Sequence, residues 1–273
     1  MSSAPGHNNP VKSRVRVLKI SRLPDRHDLR EILVNIALEG DLLDAHLRAD
    51  SLKNTVYALA KEHPLHSIED FALHLADHFT MNHPRFTKVS IEIVESLWSR
   101  LAPGGKPHPQ AFQSAGTHRH TATVARTPQT ATLFSGLKNL LILKTTDSEF
   151  TGYIKDEFTS PPETRDRIFA TELDARWLYV GPDVDYAACR DRVTKALLDT
   201  FARHHSLSIQ NTLDAMGEAV IASSPEVAEI RLSMPNKHCL PIDLAKFGMQ
   251  NENEVFVPTE EPHGLIEGTV KRG

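Results

Sequence analysis

The chain has 273 residues, 40% of them hydrophobic and 24% charged, with a formal net charge of -4 at pH 7. That balance describes a globular chain with a core of its own, and it excludes extended disorder and a membrane-spanning helix. A sequence pI of about 6.4 also lacks the basic excess of most nucleic-acid binders.

In chain order, Met1 to Pro10 is small and polar without an apolar core, so no secretory signal is expected. Arg14 to Ile20 alternates as a strand, and Ile32, Val34, Ile36 and Leu38 alternate as its hairpin partner. Lys53 to Glu62 is helical in composition. Ser67 reads as an N-cap with Asp70 at the capping-box position, opening a helix whose Phe71, Leu75, Ala76 and Phe79 share a face. Pro84 closes that helix region. Lys88 to Trp98 resumes strand alternation, and a further strand is expected from Thr117 to Arg126.

The second half repeats this order. Leu137 to Thr146 and Arg167 to Val180 read as strands, and Tyr186 to His204 as a helix striped by Val193, Leu197, Leu198 and Phe201. Ser208 opens a second helix, Pro225 precedes a strand from Ala228 to Met234, and a last strand lies within Gly264 to Val270. Set Ser67 against Ser208 and no gap is needed across the window that follows: Pro84 faces Pro225, Val89 faces Ile230, Ile91 faces Leu232, and Ile93 faces Met234. Strand, strand, helix, helix, strand, strand, written twice, predicts an α+β fold of antiparallel sheets with paired helices on one face. Such sheets leave edges that must be paired or covered, so a symmetric homo-oligomer is expected.

Seven segments stand out, Lys53-Asn54-Thr55-Val56-Tyr57-Ala58-Leu59-Ala60-Lys61, Gly105-Lys106-Pro107-His108-Pro109, Thr146-Asp147-Ser148-Glu149-Phe150, Lys155-Asp156-Glu157-Phe158-Thr159, Glu163-Thr164-Arg165-Asp166-Arg167, Met234-Pro235-Asn236-Lys237-His238 and Glu254-Val255-Phe256-Val257-Pro258, and together they resemble the urate oxidase (uricase) family. Their number and order make the match specific, and it runs from about Lys12 to Val270. The resemblance implies two tandem T-fold (tunnelling-fold) domains, expected at 12–136 and 137–273 after a flexible 1–11. It implies a cytoplasmic homotetramer with active sites at subunit interfaces. It also implies oxidation of urate by O2 and water to 5-hydroxyisourate and hydrogen peroxide, in purine degradation, with no metal or organic cofactor. No nucleic-acid or membrane partner is expected.

The same resemblance assigns residue roles. Arg167 matches the arginine that binds the urate edge, for which a planar guanidinium offers parallel donors. Gln210 matches the glutamine on the opposite edge, Ile209 offers its backbone, and Phe150 matches the aromatic stacked on the purine face. Asn236 matches the residue that holds the oxygen or water site, and His238 matches a proton-relay histidine. Lys12 matches the catalytic lysine, although Val11 stands where the family has glycine. Asp50 fits the aspartate that contacts ligand from the neighbouring subunit.

The main departure is Leu47-Arg48-Ala49-Asp50-Ser51, a connector shorter than the family's. Ala49 stands where the family has the relay threonine, and alanine cannot pass a proton. This leaves a second reading open, a catalytically impaired purine-binding homologue. Whether a water or Thr55 replaces the missing hydroxyl also stays open. A pterin-acting T-fold enzyme is disfavoured, because no zinc-ligand set is evident. Cys189 and Cys239 lie far apart without a CxxC and read as reduced thiols. His74 and His78 are spaced i, i+4 but lack the adjacent glutamate of the zinc-protease pattern. His108 between two prolines reads as a rigid turn, and His118 and His120 as one exposed strand face. The C-terminal Lys271-Arg272-Gly273 is not a peroxisomal address.

Overall fold

The structure is a computed structural model that describes residues 11–40, 49–152, 154–158, 163–259, 261 and 263–273, without the side chains of residues 11–13 and 49. The terminal segment 1–10, the connector residues Leu47 and Arg48 and the side chains of Lys12 and Ala49 therefore lie outside the described residues. Two compact units are formed, Met1–Leu137 with Pro182–Ala187, and Lys138–Gly181 with Ala188–Gly273.

In the first unit, β1 (Val11–Arg22) pairs antiparallel with β2 (His27–Gly40), β2 with β3 (Phe86–Arg100), and β3 with β4 (Phe112–Arg126). Alternation decides the faces: Ile32, Val34, Ile36 and Leu38 are at most 1% exposed, while their neighbours keep partial access to solvent. Helices α1 (Ala49–Glu62) and α2 (Ile68–Asn82) follow β2. α2 buries Ile68, Phe71, Leu75 and Phe79 and packs on β3 and β4. Each such side chain contributes about 1.5–3 kcal/mol when fully buried. Ser67 caps α2 as its sequence predicts. The Oγ accepts the Asp70 N–H at 3.0 Å and donates to the Asp70 carboxylate at 2.6 Å.

The second unit uses the same order. β5 (Ala131–Lys144) crosses the boundary between the units, and β6 (Phe169–Tyr179) follows it in the strand order. Then come α3 (Tyr186–Arg203), α4 (Ile209–Ser223) and β7 (Val227–Pro241). β7 pairs with β6 on one side; on its other side it pairs with β9 (Leu265–Lys271) over Glu229 to Pro235 and with β8 (Phe256–Thr259) over His238 to Pro241. α4 buries Ile209, Leu213, Met216 and Val220 against β7 and β9. Two glycines permit that approach. A Cβ on Gly217 would sit 2.4 Å from Val270 Cγ2, and one on Gly268 would sit 2.5 Å from Leu213 Cδ2.

Several element ends shift by a few residues, β5 starting at Ala131 rather than Leu137 and β4 at Phe112 rather than Thr117, and three details differ in kind from the sequence expectation. β1 starts at Val11 rather than Arg14, because the ladder survives a bulge between Lys12 and Val15 at which Arg14 has φ 62° and donates its N–H to Asn35 Oδ1 at 2.8 Å. β8 carries no strand alternation of its own and exists as a partner for the long C-terminal end of β7. His118 and His120 are not an exposed face: both are half-buried, and His120 Nδ1 lies 3.3 Å from the carboxylate of the buried Glu95. His108 does anchor a turn, accepting the Gln110 N–H at 3.1 Å. No helix among the described residues is long and apolar enough to cross a membrane.

The helix–sheet contact at Gly217 is testable. Alanine is the better helix former by about 1 kcal/mol, yet Gly217→Ala drives its Cβ into the stiff, β-branched Val270. The variant is expected to lose about 1–3 kcal/mol of stability in chemical denaturation. A gain would show that α4 can lift without loss.

Candidate functional site

Three segments of the second unit meet ahead of α4. The chain from Asp147 to Phe150 lies between residues 164–167 on one side and 206–208 on the other. Ser148 and Ser206 form a parallel bridge, and both are fully buried. Glu149 N–H donates to Ser206 O at 2.7 Å, and Ser206 N–H donates to Asp147 O at 3.1 Å. On the opposite side Phe150 and Thr164 exchange both backbone hydrogen bonds, at 2.8 and 3.1 Å, and Arg167 N–H donates to Ser148 O at 2.9 Å. Ser206 is tied to α4 in turn, through the Thr212 hydroxyl at 2.8 Å.

This stitching places a cation against aromatic rings. The Arg167 guanidinium carbon lies 5.1 Å from the Phe150 ring centre and 5.7 Å from that of Phe169. Its Nε and Nη2 are buried, with no hydrogen-bond partner among the described residues. Burial lowers the Arg167 pKa from its ordinary value; a guanidinium nonetheless stays charged at physiological pH. Buried donors are nearly always satisfied, and each orphan costs about 1–3 kcal/mol. A cation with spare in-plane donors and a ring beside it fits the edge and face of a flat anion.

Ile209 and Gln210 stand in the first turn of α4. Ser208 caps this helix by accepting the Asn211 N–H at 3.1 Å, while the amides of Ile209 and Gln210 have no acceptor within the helix. Such an end favours negative charge. Ile209 is buried; Gln210 is exposed, and its Nε2 donates to Asp214 Oδ1 at 3.0 Å.

Asn236 and His238 share one face of β7. Asn236 is 7% exposed, its N–H donates to Gly264 O at 2.8 Å, and its Nδ2 lies 3.5 Å from the ring nitrogens of His238. Directly across on β6 stands Thr171, fully buried, whose hydroxyl lacks a partner among the described residues. Phe150 and Arg167 are thus in contact, the start of α4 is tied to them through Ser148 and Ser206, and Asn236 and His238 form a pair on the adjoining sheet.

Lys12 and Asp50 belong to the first unit. Lys12 pairs across the ladder with Ile36, and Asp50 is an exposed residue at the start of α1, 3.3 Å from Lys53 Nζ. The sequence reading gives no site role to Ser148, Ser206, Thr171 or the second ring, Phe169; only the family segment from Thr146 to Phe150 marked that neighbourhood. Among the described residues, no group of three or more His, Cys, Asp and Glu side chains could hold a metal ion.

A duplicated antiparallel α+β framework, with a half-buried arginine against two aromatic rings in its second unit, defines the class: a tandem T-fold protein. The sequence matches the family described as Uricase over residues 10–125 and 133–267, and the chain belongs to that family. It is 38% identical to the uricase of Arthrobacter globiformis, covering 98% of this chain and 89% of that one. It is 35% identical to the uricase of Dictyostelium discoideum, over 97% and 96% of the two chains. The crystal structure of the Arthrobacter globiformis uricase superposes with a TM-score of 0.93 at 37% identity, covering 100% of this chain and 96% of that one.

The unsatisfied guanidinium leads to a prediction about the unliganded protein. Arg167→Met keeps an unbranched apolar stem beside Phe150 and Phe169 and removes the orphaned donors. Its stability in urea is expected to match or exceed that of the parent, by up to about 2 kcal/mol. A clear loss would show that the guanidinium is already paired.

Proposed function

We propose that this chain is a urate oxidase acting in purine degradation in the cytoplasm. It takes urate, O2 and water to 5-hydroxyisourate and hydrogen peroxide, with no metal or organic cofactor. The observation that carries the reading is Arg167, a half-buried cation whose buried Nε and Nη2 find no partner among the described residues, beside Phe150, in a chain of the uricase family. Deprotonated urate is electron-rich and can itself reduce O2, which leaves the protein to bind, orient and manage protons.

In this reading Arg167 holds one edge of the urate anion through parallel N–H donors, and Phe150 stacks on its face. Gln210 turns its amide from Asp214 to the opposite edge, and the Ile209 N–H adds a backbone donor. Asn236 positions O2 and then water without exchanging protons, while His238, within reach of its amide, relays them. Lys12 serves as the base, which requires its amine to be desolvated. Asp50 reaches the ligand from a neighbouring subunit of a homotetramer. The edges support assembly: among the described strands β1 pairs only with β2, and its Leu18 and Ile20 are 57% and 42% exposed.

The direct test follows urate absorbance, O2 uptake and peroxide release together. Equal molar loss of urate and O2 with matching peroxide is expected. Arg167→Gln should raise KM by about 10-fold or more, as the loss of a charge-assisted bidentate contact does.

Ala49 favours one second reading, binding of a purine without efficient turnover. Losing a relay group costs about 10²–10⁴ in rate. Ala49→Thr is therefore expected to raise kcat by about 10-fold or more with little change in KM. Tight binding of a non-reacting urate analogue, with no turnover in either form, would establish the second reading instead.

A further inference from the structure

The segment that carries Phe150 is held by an imidazole outside the ligand-facing set. His205 lies between α3 and α4. Its Nδ1 meets Asp147 Oδ1, and its Nε2 meets Glu149 Oε1 at 3.0 Å. Carboxylates only accept hydrogen bonds. Both ring nitrogens must therefore donate, and only the imidazolium does so. The two carboxylates flank Ser148, whose carbonyl receives the Arg167 N–H, and Glu149 leads directly into Phe150.

The backbone of this segment is fixed by its hydrogen bonds with Ser206, Thr164 and Arg167, and the two carboxylates add side-chain contacts to it. Asp147 has φ 62°, a left-handed conformation uncommon for a residue with a side chain. Its far side is held by Asp166, whose Oδ1 accepts from the Asp147 N–H at 3.1 Å and the Thr146 hydroxyl at 2.9 Å. On the near side His205 adds to the backbone bonds with Ser206, and the Thr151 hydroxyl donates to Glu149 Oε2 at 3.2 Å.

We propose that His205 is a positioning residue: as the imidazolium it clamps Asp147 and Glu149, and so sets where Phe150 and Arg167 meet the substrate. The role rests on the reading of Phe150 and Arg167 as the purine-binding pair. The clamp is also a pH-dependent one. The charged groups around it are Asp147 and Glu149 themselves, Asp166 across the segment, and Lys144 and His204 near Asp147, with Lys144 Nζ donating to His204 O at 2.5 Å. The hydrogen bond that His205 donates to Asp147, then the one to Glu149, raises the pKa of His205, and the first of these lowers that of Asp147. A raised imidazole pKa means that the clamp is complete below the ordinary histidine range and is lost as pH climbs through the raised value.

The test compares the full-length parent, His205→Ala and His205→Gln. Affinity for a non-reacting urate analogue is measured by calorimetry near pH 6 and near pH 9, alongside kcat for urate and amide hydrogen exchange of residues 146–151 and 164–168. His205→Ala is expected to bind the analogue about fivefold more weakly near pH 6, the scale of one exposed charged contact. The ratio to the parent should fall towards one near pH 9, where the parent has lost the same charge. Taking the ratio cancels the titration of the analogue itself. kcat should stay within about twofold, and the amides of Glu149 and Arg167 should exchange faster. His205→Gln should recover part of the affinity, with no change in that part across the two pH values. Equal affinity in all three proteins, or a ratio that does not move with pH, overturns the positioning role and leaves the purine site standing. A parent that binds no analogue overturns the purine site and, with it, the role given to His205.

Discussion

A cation held among aromatic rings, with donors left over, is the constraint around which the second unit is arranged. Removing a charge from water costs several kcal/mol unless a partner restores its interactions. The rings of Phe150 and Phe169 return only part of that, about 0.5–2 kcal/mol for such contacts. Arg167 stays in place because its backbone is fastened rather than its head. Its N–H is bonded to the carbonyl of a fully buried serine, and the following residues enter β6 as the core residues Phe169 and Leu173. A rigid stem carrying an unsatisfied head is what a site for an anion requires: the donors are aimed before the ligand arrives, so little ordering remains to be done on binding.

The duplication shows what the unsatisfied state means. Under the alignment that sets Ile93 against Met234, Glu95 takes the place of Asn236 and Glu69 the place of Gln210. In the first unit those positions hold buried carboxylates with partners of their own unit. Arg30 Nη1 lies 2.5 Å from one oxygen of the buried Glu95, His120 lies 3.3 Å from the other, and the Ser135 hydroxyl donates to the buried Glu69. In the second unit the same places carry neutral amides, and the nearby arginine faces rings instead of a carboxylate. A carboxylate at either place would repel an incoming anion. One framework, used twice, carries buried carboxylates with cationic or hydroxyl partners in one copy and neutral amides beside a ring-faced arginine in the other.

What the sequence made legible was whatever repeats locally. Alternation along Ile32 to Leu38 marked β2, and the Ser67–Asp70 pair marked the start of α2 to the residue. Ser208 did the same for α4. The family motifs then pointed to Arg167, Phe150 and Asn236. The bulge after Lys12 leaves no local sign, because it depends on the Asn35 side chain of the next strand. Neither does the Ser148–Ser206 bridge, in which two small polar residues far apart in sequence become the most buried part of the site. Nor did alternation reveal that His118 and His120 are half-buried and that His120 meets a buried carboxylate, since a half-buried face and an exposed one share the same period.

The height of α4 over its sheet links packing to the site. Gly268 and Gly217 let Leu213 and the helix backbone settle closely on β9, and the same absence of a side chain leaves room at the helix start. A Cβ on Gly268 would lie only 3.6 Å from Gln210 Nε2, at van der Waals contact with the amide proposed to read the ligand. The first turn of α4 is tied at its other side to Ser206, and through it to the segment that carries Phe150. The depth to which the helix packs therefore governs where its unpaired N–H groups stand relative to the ring of Phe150. Core residues that never approach a ligand, Leu213 and Val270 among them, thereby set the spacing of the groups that would touch it.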